Sequence, residues 1–212
     1  MNLKVIEPKK FAFADGHIFK TINGEGAMLG VTSIFFRLAG CSVGCKGCDT
    51  RYNHDKIELS IEEILDKIST EENKDVEWIW VTGGEPSDQD LWLLIKEIKK
   101  YFPNQKFAVA TSGIRAMSQV AFDFISVSPH SNPNGLRIHR GDQINLVPTL
   151  GGLTLSDWDN YNFSGFKHKW ITPVYSSDKD LMNESLSECI KWIGSNPDFK
   201  LGIQAHKVWG IK

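Results

Sequence analysis

The sequence has no excess of basic residues, no long apolar run and few cysteines. Its 212 residues include 24 Lys and Arg against 26 Asp and Glu, so the formal net charge is −2. A chain without positive surplus is poorly suited to the phosphate backbone, and we expect no nucleic-acid partner. No apolar stretch approaches the ~18 residues that a spanning helix requires, so we expect no membrane partner. No secretory signal is visible behind the first ten residues, which favours a cytoplasmic location.

Only four cysteines are present, and three of them lie within eight residues, at Cys41, Cys45 and Cys48. In a reducing compartment such clustering indicates metal or redox chemistry rather than a disulfide framework. Cys189 lies far away in a predicted helix, where we expect it to pack as a small apolar residue. With 41% hydrophobic and 24% charged residues the composition is that of a globular chain, and we expect residues 1–212 to form a single domain.

Predicted strands alternate with predicted helices along most of the chain. Strands are predicted at 31–38, 77–82, 106–111, 124–127, 143–147 and 167–172, and helices at 60–71, 88–102, near 116 and at 180–193. This order predicts an α/β fold, an open partial (β/α) barrel of about six units with a mostly parallel sheet. Small and hydroxyl residues follow four of the strands, at Thr82, Thr111, Ser128 and Thr172. They indicate either ligand binding at the carboxyl ends of the strands or ordinary turn chemistry.

Cys41, Cys45 and Cys48 form a C-x3-C-x2-C motif directly after a predicted strand. Three thiolates on one loop can hold three irons of a [4Fe-4S] cluster and leave the fourth iron open to another ligand. A closed zinc site needs a fourth protein ligand, for which His54 is the nearby candidate. The remaining interpretation is that the three cysteines bind no metal and pack in the core. The spacing favours the open cluster.

The cysteine motif and the segment Gly83-Gly84-Glu85-Pro86 resemble the radical S-adenosylmethionine superfamily. Further segments resemble one of its families, the 7-carboxy-7-deazaguanine synthases: FKTINGEG at 19–26, FRLAGC at 36–41, CDT at 48–50, VSPH at 127–130 and QAHK at 204–207. Asn23, Gly47 and His130 depart from that family's pattern, which has Gln, an aromatic residue and Lys at these positions. The departures indicate a divergent member that keeps every cluster ligand.

The resemblance implies a reaction and its cofactors. The substrate would be 6-carboxy-5,6,7,8-tetrahydropterin, from which an adenosyl radical takes hydrogen at carbon 6. The ring then contracts, hydrogen returns to regenerate S-adenosylmethionine, and ammonia is lost to give 7-carboxy-7-deazaguanine. The resemblance also implies Mg2+ beside the substrate carboxylate, a flavodoxin- or ferredoxin-type electron donor and a homodimer.

Roles for individual residues follow from the same resemblance. Cys41, Cys45 and Cys48 match the cluster ligands, and Thr50 matches the Mg2+ ligand. Contacts to S-adenosylmethionine are implied for Gly47, Cys48, Asp49, Gly84, Ser128, Pro129, His130, Thr172, Pro173, Val174 and Tyr175. Contacts to the substrate are implied for Ile22, Asn23, Gly24, Glu25, Arg37 and Thr82. Arg37 suits a carboxylate, with a buried ion pair as its alternative, and Glu25 could bind substrate, bind metal or cap a loop.

Two other functions fit parts of the sequence. A small radical enzyme that activates a glycyl-radical partner shares the cysteine spacing, but the TINGEG segment, Arg37 and Thr50 argue against it. A noncatalytic iron–sulfur or zinc module leaves the GGEP segment unexplained. We further expect Trp78, Trp80 and Trp92 to pack in the core. Gln204 and His206 either close over the substrate or form a surface pair.

Overall fold

One nine-stranded sheet organises the molecule. The computed structural model describes residues 9–45, 48, 50–148 and 153–211. The strands are β1 (Phe11–Ile22), β2 (Thr32–Leu38), β3 (Ile57–Leu59), β4 (Trp78–Gly83), β5 (Lys106–Thr111), β6 (Phe124–Val127), β7 (Gly141–Leu146), β8 (Phe166–Ile171) and β9 (Lys200–Leu201). The α-helices are α1 (Ile61–Ile68), α2 (Leu91–Tyr101), α3 (Lys179–Ser195) and α4 (Ala205–Trp209).

The strand order is β3-β1-β2-β4-β5-β6-β7-β8-β9, so β3 and β9 are the two edges of an open sheet. β1 runs antiparallel to both of its neighbours, and every pairing from β2 to β9 is parallel. The predicted open, mostly parallel sheet is therefore confirmed. No helix in the described part of the chain is both long and apolar enough to cross a bilayer.

Three strands and several connections differ from the sequence prediction. β1, β3 and β9 were not predicted, and the helix expected near residue 116 is wrong. The backbone there turns away at Gly113, whose φ is +75° and whose carbonyl accepts hydrogen bonds from the amides of Arg137 and Ile138. In the described residues between β5 and β8, the connections contain only short 3-10 turns.

Helices α1, α2 and α3 pack against one face of the sheet. Leu91, Leu94, Ile95 and Ile98 of α2 are buried there, as their spacing predicts, and Asp90 caps the helix by accepting from the amide of Leu93. α1 begins with the predicted capping box, in which Ser60 and Glu63 bond each other's backbone amides. Trp92 is 52% exposed, so its expected core position is wrong: it points away from the buried stripe of α2. Cys189 is buried in the core, as predicted.

Candidate functional site

Aromatic side chains form a row across the sheet face that the main core leaves uncovered. The register aligns Phe19 with Phe35, Phe35 with Trp80, Trp80 with Ala108, and Ala108 with Phe124. The ring centroids are 5.7 Å apart for Phe19–Phe35, 6.2 Å for Phe35–Trp80 and 6.0 Å for Trp80–Phe124. Because Ala108 is small, the Trp80 and Phe124 rings meet across β5. The row offers a flat apolar surface suited to a planar ring.

A polar rim stands above this aromatic row, toward the carboxyl ends of the parallel strands. Arg37 pairs with Thr82 in the register of β2 and β4, and Ser126 pairs with Gln143 in that of β6 and β7. Row and rim together enclose a cavity of about 400 Å³. All six predicted substrate residues line it: Ile22, Asn23, Gly24, Glu25, Arg37 and Thr82. Thr50 and Ser128 line it as well.

Arg37 occupies the cavity side of β2, between the buried core residues Phe36 and Leu38. Its guanidinium carbon lies 5.1 Å from the ring centroid of Phe19, a cation–π contact that fixes the side chain along the cavity wall. A half-buried guanidinium on an apolar wall attracts an anion more strongly than one in bulk water. The arrangement suits a ligand that carries a carboxylate beside a ring.

Asn23 shapes the turn that follows β1. Its side chain is buried, and its Oδ1 accepts a hydrogen bond of 3.0 Å from the amide of Glu25. Its backbone exchanges bonds with Gly30 and Val31, which closes the loop on itself. The side-chain oxygen of Asn23 therefore positions Glu25 at the cavity.

Gln143 and the carboxyl-terminal segment hold this turn from two sides. Gln143 is buried, donates to Ser126 Oγ at 2.8 Å and accepts from the amide of Ala27 at 2.9 Å. Gln204 Nε2 donates to Glu25 Oε1 at 2.9 Å, and Gln204 Oε1 accepts from Lys207 Nζ at 3.0 Å. Gln204, His206 and Lys207 all line the cavity. Of the two readings left open by the sequence, the structure favours closure over the cavity.

The three cysteines lie on the loop that follows β2. Burial raises the pKa of Cys45 to about 11, and the nearby Cys48, Cys41 and Glu85 add to this effect. All three cysteines fall within eight residues of this one loop. Among the described residues, no group of three His, Cys, Asp or Glu side chains is arranged as a ready-made metal site. The donors nevertheless fit a [4Fe-4S] cluster chemically, since thiolates are the ligands such clusters use. Gly47 and Asp49 lie outside the described residues.

Two adjacent glycines bring the end of β4 against the cysteine loop. A Cβ on Gly84 would overlap the carbonyl oxygen of Gly40, and Gly83 has a φ of +115° beside the backbone of Leu38. The amide of Gly84 donates to Leu38 at 2.8 Å, and that of Glu85 donates to Gly40 at 3.0 Å. Only glycine permits this approach.

Glu85 is a buried carboxylate that the strand-end hydroxyls satisfy. Its Oε1 accepts from the Oγ1 of Thr111 and from the amide and hydroxyl of Ser87, and its Oε2 accepts from the amide and hydroxyl of Ser112. Such bonds offset the cost of burying a charge. Thr111 and Ser112 therefore join the ends of β4 and β5.

The remaining predicted cofactor residues lie away from the cavity lining. Pro129 is buried and His130 half-buried directly after Ser128, whereas Thr172, Pro173, Val174 and Tyr175 follow β8. Thr172 Oγ1 donates to Asn145 Oδ1 at 2.7 Å, so its hydroxyl proton is used in a hydrogen bond to the neighbouring strand β7. Contacts of these residues with S-adenosylmethionine stay predictions.

Sequence reasoning missed Gln143, Ser126, Phe35 and the cavity role of Trp80. Trp80 alternates with the buried core residues Ile79 and Val81, and this period of two places it on the opposite face. The same signal was available for Phe35. For Gln143, no local pattern distinguishes a buried bridging amide from an ordinary strand residue.

Comparison with known proteins gives consistent results. Residues 37–145 match the family model described as the Radical SAM superfamily. A 7-carboxy-7-deazaguanine synthase of Rickettsia prowazekii is 30% identical over 208 residues, covering 92% of this chain and 87% of that protein. One from Buchnera aphidicola is 30% identical over 217 residues, covering 92% and 97%. The crystal structure of QueE from Escherichia coli superposes with a TM-score of 0.70 at 22% identity, covering 93% of this chain and 95% of that one.

Proposed function

The chain belongs to the radical SAM superfamily and, within it, to the family of 7-carboxy-7-deazaguanine synthases, and from this premise we propose that it catalyses the family's reaction. The reaction converts 6-carboxy-5,6,7,8-tetrahydropterin to 7-carboxy-7-deazaguanine with release of ammonia. The chain is accordingly a radical SAM enzyme that acts as a carbon–nitrogen lyase in deazapurine biosynthesis.

The observation that carries the proposal is the cavity beside the cysteine loop. Its aromatic wall, formed by Phe19, Phe35 and Trp80, suits a flat bicyclic ring. Arg37 suits the ring's carboxylate, because a planar guanidinium donates two parallel hydrogen bonds. Thr82 and the turn at residues 23–25 supply neutral hydrogen-bonding groups for the polar edge of the ring.

Cys41, Cys45 and Cys48 would hold the [4Fe-4S] cluster. When bound, the cluster and S-adenosylmethionine supply the hydrogen-abstracting radical chemistry of the superfamily. The protein's task is to orient the ring, to keep the radical from water and to hold the carboxylate. Gly84 brings the backbone of the GGEP segment close to the cysteine loop, and Ser128 lies on the cavity wall; both support their predicted cofactor contacts.

Mg2+ is proposed at Thr50, which lines the cavity two residues after Cys48. A hydroxyl is an acceptable but weak ligand for Mg2+, which prefers six oxygen ligands and retains waters. The described residues supply no group of three acidic or imidazole ligands. The substrate carboxylate and water would therefore complete the coordination.

Several wider features complete the proposal. Residues 1–212 act as one radical SAM domain, and a flavodoxin- or ferredoxin-type protein supplies the electron. The enzyme works as a homodimer. Three thiols within eight residues of one loop would be prone to oxidation in an oxidising compartment, so the cytoplasm is the proposed location.

Anaerobic turnover tests the proposal. Reconstituted protein is incubated with S-adenosylmethionine, a reductant and the carboxy-tetrahydropterin, and products are identified by mass spectrometry. We expect 7-carboxy-7-deazaguanine from the wild type and from Cys189→Ala, whose side chain lies in the core, but none from Cys48→Ala. Iron-loaded wild type that yields no deazaguanine would contradict the proposal and favour the glycyl-radical activase.

A further inference from the structure

Residues 85–89 form a short segment, here called the bridge segment, that contacts three other parts of the chain. Glu85 bonds the end of β5, as described above. The side chain of Gln89 donates to the carbonyls of Ala12 and Ala39, at 2.8 and 3.2 Å, and accepts from the amide of Ala12 at 3.0 Å. The bridge segment therefore ties the ends of β2, β4 and β5 to β1.

Asp88 of the bridge segment hydrogen-bonds directly to the cysteine loop. Its Oδ2 accepts from the backbone amide of Ser42 at 2.7 Å, and its Oδ1 accepts from the hydroxyl of Ser42 at 2.8 Å. Oδ1 also accepts from Arg115 Nε at 2.9 Å, and the same Nε lies 3.2 Å from the Ser42 hydroxyl. One carboxylate thus joins the loops that follow β2, β4 and β5.

We propose that Asp88 is a positioning residue that holds the cysteine loop in shape before iron binds, with Ser42 and Arg115 as its partners. This inference rests on the proposed cluster role of Cys41, Cys45 and Cys48. Ser42 follows Cys41 directly, so fixing its amide and hydroxyl fixes the first ligand. A loop already ordered loses less conformational entropy when it closes around a cluster, and it retains the cluster longer.

A carboxylate suits this position better than an amide. Asp88 accepts on both oxygens at once, and both bonds to Ser42 are charge-assisted. An asparagine has one accepting oxygen: if that oxygen accepts from the Ser42 amide, the NH2 group must donate to the Ser42 hydroxyl, and the same NH2 then faces the Arg115 Nε donor. Arg115 is 55% exposed, and its contribution is smaller because solvent screens the ion pair.

The test compares iron retention in reconstituted wild type, Asp88→Asn and Asp198→Asn. Asp198 forms an exposed ion pair with Lys169 near the start of β9, so its variant is a matched loss of one surface charge. We expect a chelator to remove iron from Asp88→Asn about tenfold faster than from wild type, a change consistent with one lost hydrogen bond to a charged group. Asp198→Asn should match wild type. Equal rates for Asp88→Asn and wild type would overturn the inference.

Two further readouts separate positioning from general stability. In the iron-free protein, Cys41 of Asp88→Asn should be alkylated several-fold faster than in wild type, with an unchanged melting temperature.

Ser42→Ala should show a smaller effect, and adding it to Asp88→Asn should change little, because the shared bond is already lost. Fully additive effects of the two substitutions would contradict the proposed positioning role of Asp88. If Asp88→Asn does not fold, Ser42→Ala alone is compared with wild type. If wild type binds no iron, the proposed function fails, while the alkylation comparison still judges Asp88.

Discussion

At Arg37 a charged side chain stands between two buried apolar neighbours on a central strand. The cavity explains the exception, since alternate residues of β2 face opposite sides of the sheet. We predict that Arg37→Lys weakens substrate binding by ~1–3 kcal/mol, because lysine keeps the charge but loses the two-pronged donor geometry. A binding titration with the carboxy-tetrahydropterin measures this loss.

Arg140→Lys provides the control for that titration. Arg140 is exposed and lies directly before β7, at the end of the sheet away from the carboxyl ends that carry the cavity. Its substitution should leave the affinity unchanged. An Arg37→Lys enzyme that binds the pterin as tightly as wild type would show that Arg37 serves the fold alone.

Thr50 carries the proposed metal contact. We predict that Thr50→Val turns over slowly and responds little to Mg2+, because its side chain has no oxygen to offer the ion. Wild type should slow when Mg2+ is removed. The comparison uses steady-state rates with and without chelated Mg2+, and a variant with both the wild-type rate and the wild-type Mg2+ response would refute the role.

Cys45 provides a prediction about pH in the iron-free protein. Its pKa of about 11 lies above the ordinary value of 9.0, so at pH 8 its thiolate fraction is about 100-fold smaller than that of an unperturbed cysteine. Alkylation of folded, iron-free protein, followed by peptide mass spectrometry, should be correspondingly slow at Cys45. Alkylation at the rate found in denatured protein would contradict this pKa.

The same shift affects stability in a defined direction. The folded protein keeps the Cys45 proton between about pH 9 and 11, whereas the unfolded chain has released it. Unfolding is therefore favoured as pH rises through this window, and the contribution of Cys45 is fully present below it.

For individual residues, the sequence predicted the kind of chemistry at the site better than it predicted which side chains contact each other. The hydroxyls after four strands suggested ligand binding, and Thr82 and Ser128 do line the cavity. Thr111 and Thr172 instead bond Glu85 and Asn145. The sequence cannot distinguish a strand-end hydroxyl that lines the cavity from one that bonds another side chain, because its partner comes from a distant segment.

Among the elements, α4 and the turn after β1 form the cavity's closure. Gly24 lies against His206 so closely that a Cβ would overlap the imidazole. We predict that Gly24→Ala displaces α4 and raises the KM for the pterin about tenfold, with a smaller effect on kcat, because closure orders groups that contact the ground state. Steady-state kinetics measure the split.

Gly194→Ala is the matched control, since nothing lies within 4 Å of its Cβ position in α3. It should leave KM unchanged and stabilise the helix by roughly 0.5–1 kcal/mol. A Gly24→Ala enzyme with wild-type KM would show that the closure does not contribute to substrate binding.

Element prediction succeeded where the regular backbone of a strand is uninterrupted, whatever its length. β5 and β6 have the predicted bounds, whereas β1 was missed. The register of β1 shifts between Phe13 and Ile18, where Gly16 and His17 have positive φ, and this interrupts the alternation that identifies a strand. β3 and β9, with three and two residues, are too short to carry a pattern.

Across the whole molecule, the cavity is assembled from segments far apart in sequence. Gln143 reaches Ala27 across 116 positions, and Gln204 reaches Glu25 across 179. Periodicity and motifs are local signals, so they predicted the open parallel sheet and the cysteine chemistry but not these bridges. The closure of the turn after β1 and the alignment of the aromatic row depend on long-range contacts and on strand register, which only the three-dimensional structure shows.

The proposed function requires that the cysteine loop and the cavity beside it act on one molecule. The most direct measurement uses the carboxy-tetrahydropterin labelled with deuterium at carbon 6, followed by mass spectrometry of the recovered S-adenosylmethionine. We predict that deuterium enters its adenosyl group during turnover by wild type and not with Cys48→Ala. Deazaguanine formed by wild type with no deuterium in S-adenosylmethionine or 5′-deoxyadenosine would contradict this requirement.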